Sequence, residues 1–119
     1  MILMAIAAAL EVATGLLLIA KPSVLARLLF DAELSQAGVA LGRVTGFALL
    51  ALGWSCWPTR KGSQEVPVAL LIYNVLVTGY LAYLGVSGNL VGRVLWPAFA
   101  VHALLSALLA HRRFLKPMG

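Results

Sequence analysis

Four hydrophobic stretches, each long enough to cross a lipid bilayer, occupy most of this 119-residue chain. They run roughly over Ile2–Ala20, Ala37–Trp57, Pro67–Val86 and Val91–Ala110. The hydrocarbon core of a bilayer is about 30 Å thick, and a helix needs about 20 predominantly apolar residues to cross it. We therefore predict an all-α integral membrane protein. It would form a single domain of four transmembrane helices, with no separate soluble domain.

The composition agrees with a membrane location and argues against several other classes of protein. Hydrophobic residues make up 62% of the chain and charged residues 11%, whereas about a quarter of a typical soluble domain is charged. The net charge of +5 lies at helix ends and in short connections, without aromatic interleaving, so we expect no nucleic-acid partner. Cys56 is the only cysteine, which excludes an intrachain disulfide and argues against a cysteine-based metal site. We predict no cofactor and no metal.

The first 35 residues are predicted to form one transmembrane helix and then a helix lying in the membrane interface. No positive charge precedes the first apolar core and Glu11 interrupts it, so we expect a retained helix rather than a cleaved signal peptide. Over 22–35, Ser23, Arg27 and Asp31 recur at intervals of four residues while apolar residues cover the other side. This pattern is typical of a short interfacial amphipathic helix. The alternative is a packed loop.

The second stretch carries a ridge of glycines at helical spacing. Gly38, Gly42 and Gly46 are four residues apart, and Gly53 returns to the same face seven residues later. Small residues in this pattern let helix backbones approach closely in lipid. The ridge therefore predicts a tight helix contact, made either with a neighbouring helix of the chain or with a second copy.

Two short motifs occur twice and suggest a duplicated helical hairpin. Thr14-Gly15 in the first stretch resembles Thr78-Gly79 in the third, and Gly42-Arg43-Val44 in the second recurs as Gly92-Arg93-Val94 in the fourth. Two hairpins in the same orientation would form a parallel tandem repeat. Chance similarity within apolar sequence is the alternative.

The basic residues favour a topology with both termini in the cytoplasm. With four spans, both termini share one side with the second connection, and that side carries Arg60, Lys61, Arg112, Arg113 and Lys116. The other side carries Lys21 and Arg27, with Arg43 and Arg93 closer to the spans. Because Lys and Arg concentrate on the cytoplasmic side, we predict a bacterial inner-membrane protein in this orientation. Arg112, Arg113 and Lys116 either only orient the chain or also bind anionic lipid or a partner.

Three polar side chains are predicted near the middle of the membrane. At about 1.5 Å per residue from the outer helix ends, Glu11, Asn74 and His102 lie at depths of about 15, 18 and 16 Å. Such residues are costly in lipid and usually face the bundle interior, where they mark functional sites. We expect the three to form one layer, with Glu11 in contact with His102; a direct bridge from Glu11 to Arg43 is the alternative, with less favourable geometry. Arg43 lies nearer the outer end of its helix and is expected to extend outward.

This predicted layer has two interpretations. In the first, it is a proton-coupled or ligand-binding site in which Glu11 and His102 exchange a proton and Asn74 orients a bound group. In the second, the three side chains only hydrogen-bond between helices and hold their register. The tyrosines of the third stretch are interpreted as core or interface residues rather than quinone contacts: Tyr73, Tyr80 and Tyr83.

The function first predicted from these features is that of an accessory, scaffold or assembly subunit of a larger membrane complex, or of a homo-oligomer. The expected partners are the bilayer and other membrane subunits or copies of the chain. One alternative is a small oligomeric transporter or channel that uses the polar layer. Another is a redox or enzymatic module that interacts with a lipid or quinone. No catalytic motif is visible, so an enzyme is not predicted.

Overall fold

The computed structural model of this chain describes residues 2–58 and 65–115, and all its regular elements are helical. Arg60, Lys61 and Lys116, which entered the topology argument, lie outside these residues. The helices are α1 (Ile2–Ala20), α2 (Pro22–Phe30), α3 (Gln36–Ser55), α4 (Val68–Ser87) and α5 (Leu95–Ala110). A π-helical turn over His111–Leu115 continues α5.

Within the described residues, four helical segments are long and apolar enough to cross a membrane. They are α1, α3, α4 and the continuous segment Leu95–Leu115, with 19, 20, 20 and 21 residues. At about 1.5 Å per residue these lengths give about 28–32 Å, which matches a bilayer core about 30 Å thick. The prediction of an all-helical chain with four helices of spanning length is confirmed.

The four long helices form two hairpins, α1 with α3 and α4 with α5. Glycines allow the close approach in the first hairpin. A Cβ atom on Gly46 would lie 2.7 Å from the carbonyl oxygen of Gly15, and one on Gly53 would lie 2.7 Å from that of Ala8. The glycine ridge could have packed against a helix of the same chain or against a second copy. In the structure, this part of the ridge packs against α1 of the same chain.

The outer end of the glycine ridge does not continue this helix contact. A Cβ atom on Gly42 would meet Pro22 at the start of α2, and one on Gly38 would meet Leu34 in the connection just before α3. The ridge therefore packs α1 along one part of α3 and packs α2 and its connection along the other.

The helix α2 is shorter than the predicted range 22–35, which is a correction to that prediction. It ends at Phe30 because Asp31 adopts the left-handed conformation, with φ 50°, and donates its N–H to the carbonyl of Arg27. Such a residue is a common helix terminator, and aspartate tolerates it better than most residues. The connection then reaches Ser35, whose hydroxyl accepts from the N–H of Gly38 at 3.0 Å and caps α3.

The helix α5 begins at Leu95, four residues later than predicted, because the preceding turn pairs with α2. The N–H groups of Gly92 and Val94 donate to the carbonyls of Leu29 and Leu28 at 2.8 and 2.9 Å. These carbonyls belong to the last turn of α2, whose oxygens have no partner within their own helix. This contact between distant segments fixes α2 over the bundle and determines where α5 begins.

The two copies of the predicted repeat have different local structures. Gly15 packs against α3, whereas nothing in the described part of the chain lies within 4 Å of a Cβ built on Gly79. Gly42-Arg43-Val44 lies inside α3, while Gly92-Arg93-Val94 precedes α5. The duplication stays a prediction.

Candidate functional site

Glu11 of α1 and His102 of α5 meet inside the bundle. Nε2 of His102 lies 3.9 Å from Oε1 of Glu11, and the Glu11 residue is only 1% exposed. No group among residues 2–58 and 65–115 has the geometry of a direct hydrogen bond to either oxygen of this carboxyl, and the phenol of Tyr73 is the nearest donor to it. Burying a weakly partnered acid in an apolar interior is costly.

The backbone determines which nitrogen of His102 faces Glu11. Nδ1 lies 2.8 Å from the carbonyl oxygen of Ala98, one turn earlier in α5. A carbonyl oxygen can only accept, so Nδ1 carries a hydrogen and donates it. In the neutral imidazole, Nε2 is then an acceptor directed at Glu11. A proton held between the two residues would lie either on the carboxyl or on Nε2 of an imidazolium.

Tyr73 of α4 completes a group of three that we call the polar cluster: Glu11, Tyr73 and His102. The rings of Tyr73 and His102 meet edge to face, with centroids 6.3 Å apart. The phenol of Tyr73 also lies near the Glu11 carboxyl, to which it can donate its O–H. From the sequence, Tyr73 was assigned to the core or an interface. Its position next to Asn74, a residue predicted to belong to the site, was the one sequence feature that could have indicated a role there.

The side chain of Asn74, the residue after Tyr73, bonds within its own helix. Its Nδ2 donates to the carbonyl of Leu70 in the same helix at 2.9 Å, and its Oδ1 is buried with no partner in the described residues. The hydroxyls of Thr78 in α4 and Ser106 in α5 lie 3.3 Å apart and connect the two antiparallel helices.

The late start of α5 changes the depth of His102 within its helix. His102 is seven residues from Leu95, about 11 Å into its helix, whereas Asn74 is thirteen residues from Ser87, about 20 Å into its own. The depth predicted for His102 counted from Val91, which lies in the turn before the helix. The structure brings Glu11 and His102 together, and the place of Asn74 in the predicted layer stays a prediction.

Arg43 and Arg113 make backbone contacts elsewhere in the bundle. Arg43 is exposed, and its Nε donates to the carbonyl of Ile19 in the last turn of α1 at 3.2 Å. Nη1 of Arg113 donates to the carbonyl of Val66 at 2.5 Å, which ties the turn after α5 to the start of α4. Both arginines thus have structural partners outside the polar cluster. Arg112 lies beside Arg113 in the same turn.

A cleft of about 460 Å³ opens between the two hairpins, beneath α2. His102 and Tyr73 form part of its wall, so the polar cluster lies at the boundary of the cleft, with Glu11 behind the two rings. Three further side chains with hydroxyl groups line it: Thr14, Thr45 and Tyr80. The remaining wall is largely apolar and includes Leu18, Leu25, Leu29, Phe30, Leu49, Leu76, Val77 and Leu81.

No protein-family model, curated protein or solved structure matches this chain. Within the part of the chain that the structure describes, no group of three or more His, Cys, Asp or Glu residues could hold a metal ion. The polar cluster itself consists of an acid, an imidazole and a phenol. These groups can hold a proton or bind the polar end of a molecule whose apolar part occupies the cleft.

Proposed function

We propose that this chain is an integral membrane protein that binds a lipid-like small molecule in the cleft between its hairpins. In this proposal the four long helices cross the bacterial inner membrane with both termini in the cytoplasm. Large apolar side chains on the outside of the bundle support a lipid environment, since a soluble monomer rarely exposes a continuous apolar surface. Leu41, Val44 and Val86 are 67%, 60% and 82% exposed.

The observation that carries the proposal is the combination of an apolar cleft with a polar cluster in its wall. Sites for small molecules are concave, mostly apolar and about 300–1,000 Å³ in volume, with a few polar groups that fix the ligand's orientation. The cleft has a volume of about 460 Å³ and polar side chains from four different helices, including His102, Tyr73 and Thr45. This combination suits an amphipathic ligand that enters from the lipid.

Among the functions considered from the sequence, the cleft favours the module that interacts with a lipid or quinone. It is also compatible with a small transporter that binds its substrate from the lipid. The accessory or oligomeric function depended chiefly on the glycine ridge, and Gly46 and Gly53 are already packed against α1 of the same chain. A role in a larger complex stays a prediction without that support.

A cavity-filling substitution with a matched control tests this proposal. Thr45 lines the cleft, and its hydroxyl donates to the carbonyl of Leu41 one turn earlier in its own helix. Thr45→Phe should fill part of the cleft. Val44→Phe adds an aromatic ring at the next residue, where the side chain is exposed outside the cleft.

The measurement is native mass spectrometry of protein extracted gently from its own membrane. The wild type and Val44→Phe should retain a bound small molecule that Thr45→Phe has lost. Equal ligand content in Thr45→Phe and Val44→Phe would place the bound molecule elsewhere and refute the proposal. So would the absence of any bound small molecule from the wild type.

A further inference from the structure

The helix α2 covers the cleft with its apolar face and keeps its charged residue on the other side. Leu25, Leu29 and Phe30 of this helix line the cleft. Ser23 and Arg27 instead border a separate surface pocket on the opposite face. A molecule that lies beneath this cover therefore cannot place its polar end next to the charged group of α2.

The wall of the cleft offers no counter-charge to a ligand. Within the described part of the chain, no Lys, Arg, Asp or Glu is among the lining residues. Glu11 is enclosed behind the rings of Tyr73 and His102, and Arg43 is directed at the carbonyl of Ile19. A charged group without a counter-charge is costly to place in an apolar site. An ammonium, a carboxylate or a phosphate is therefore a poor match for this cleft.

Most polar atoms of the wall already have positions within the bundle. The two nitrogens of His102 face Glu11 and a backbone carbonyl of its own helix. The phenol of Tyr73 can donate to Glu11, and the hydroxyl of Thr45 donates to the carbonyl of Leu41. These side chains have little hydrogen-bonding capacity left for a ligand.

Thr14 of α1 is the lining side chain whose hydroxyl keeps its full capacity. It makes no hydrogen bond with any described residue, and its oxygen is not among the enclosed polar atoms. It follows Glu11 by three residues and so lies on the same face of the helix, beside the polar cluster. Tyr80 carries a further hydroxyl, but that residue is 62% exposed and its ring stacks on Tyr83. The hydroxyl of Thr14 can both donate to and accept from a neutral group in the cleft.

We propose that the ligand of the cleft is an uncharged lipid whose polar group carries an oxygen that hydrogen-bonds to Thr14. This inference rests on the proposed function and specifies the chemical class of the ligand. The apolar part of the molecule would lie against the leucines, Phe30 and Val77 of the wall. Neutral alcohols, esters and ketones share this chemistry, whereas amines, fatty acids and phospholipids carry charges that the cleft does not match.

The test measures how compounds with one tail and different head groups bind the protein in lipid nanodiscs. Unlabelled 4-phenylbutanol, butylbenzene, 4-phenylbutylamine and 4-phenylbutyrate compete with radiolabelled 4-phenylbutanol near neutral pH. The concentration of each compound in the lipid is measured with empty nanodiscs. We expect the alcohol to bind at least about tenfold more tightly than either charged compound, because the cleft offers no counter-charge. It should bind about fivefold more tightly than butylbenzene, the ratio that one hydrogen bond between neutral groups provides.

Thr14→Val tests the hydrogen bond, because it removes the hydroxyl with little change of shape. This variant should bind the alcohol no more tightly than butylbenzene. Thr78→Val is the matched control, since the hydroxyl of Thr78 bonds the Asn74 carbonyl and lies next to Ser106 outside the cleft. It should leave the preference for the alcohol unchanged.

Three results would count against the proposals in different ways. An amine or carboxylate that binds as tightly as the alcohol, and is lost in Thr45→Phe, would overturn the uncharged class while leaving the cleft as a ligand site. An unchanged preference for the alcohol in Thr14→Val would overturn the assignment of Thr14. No saturable binding of any compound would overturn both this inference and the proposed function. The wild-type comparison decides the charge of the ligand even if Thr14→Val fails to fold.

Discussion

Gly46→Ala should destabilise the α1/α3 hairpin strongly for a change of one methyl group. The added Cβ would lie 2.7 Å from the carbonyl oxygen of Gly15, whereas ordinary contact begins at 3.4 Å. It would also lie 2.9 Å from Cγ1 and 3.0 Å from the backbone nitrogen of Ile19. Because most of these atoms belong to the backbone of α1, they cannot rotate away, and the two helices must separate by about 0.7 Å.

Two opposing effects determine the magnitude. Overpacking a close contact costs about 1–3 kcal/mol, and the rigid backbone on both sides favours the upper end of that range. Replacing glycine by alanine within a helix returns about 1 kcal/mol of helix propensity. We therefore expect Gly46→Ala to lower the free energy of unfolding by about 2 kcal/mol.

Gly79→Ala is the matched control in α4. Nothing in the described residues lies within 4 Å of a Cβ built there, so only the propensity gain remains. The control should be neutral or raise the free energy of unfolding by about 0.5–1 kcal/mol. Both variants are unfolded reversibly with SDS in mixed micelles, and helix content is followed by circular dichroism. A Gly46→Ala protein as stable as Gly79→Ala would refute the close packing of α1 on α3.

Two further predictions concern the position of α2 and the orientation of the chain. A Cβ on Gly92 would collide with the carbonyl of Leu28, so Gly92→Ala should break the two hydrogen bonds that hold α2. Each hydrogen bond contributes about 1 kcal/mol to stability. Amide hydrogen exchange at Gly92, at Val94 and along α2 should therefore be about 30-fold faster than in Gly79→Ala. Unchanged exchange would contradict the packing of α2 against the turn before α5. Ser23 and His111 are both exposed and lie at opposite ends of the bundle, so cysteines placed there report the orientation of the chain. In a Cys56→Ala background, a membrane-impermeant maleimide should label Ser23→Cys on intact cells. It should label His111→Cys only after the cells are lysed. The reverse pattern would show that the predicted topology is inverted.

The long helices were predictable because hydropathy and length depend only on local sequence. The described ends of α1, α3 and α4 lie within one or two residues of the predicted stretches. The glycine ridge also predicted a close helix contact correctly, although its partner could not be known from sequence. Either α1 or a second copy would satisfy the same pattern, and only the positions of Gly15 and Ala8 against α3 distinguish them.

The features that sequence analysis missed depend on contacts between distant segments. The start of α5 at Leu95 follows from hydrogen bonds between the turn before it and α2, about 60 residues earlier in the chain. That start places His102 nearer the beginning of its helix than predicted, and the ring of Tyr73 in α4 contacts it. Hydropathy contains no information about such pairings, so depth alone could not show that Tyr73 would join Glu11 and His102.

The most direct test of the cleft as a ligand site is photo-crosslinking in the native membrane. A neutral diazirine analogue of 4-phenylbutanol would be activated with the protein in place, and the modified residues would be located by peptide mass spectrometry. The account predicts labelling concentrated on residues that line the cleft, such as Thr45 and Val77, and lost in Thr45→Phe. Labelling spread evenly over exposed residues outside the cleft, such as Val44 and Val86, would contradict it.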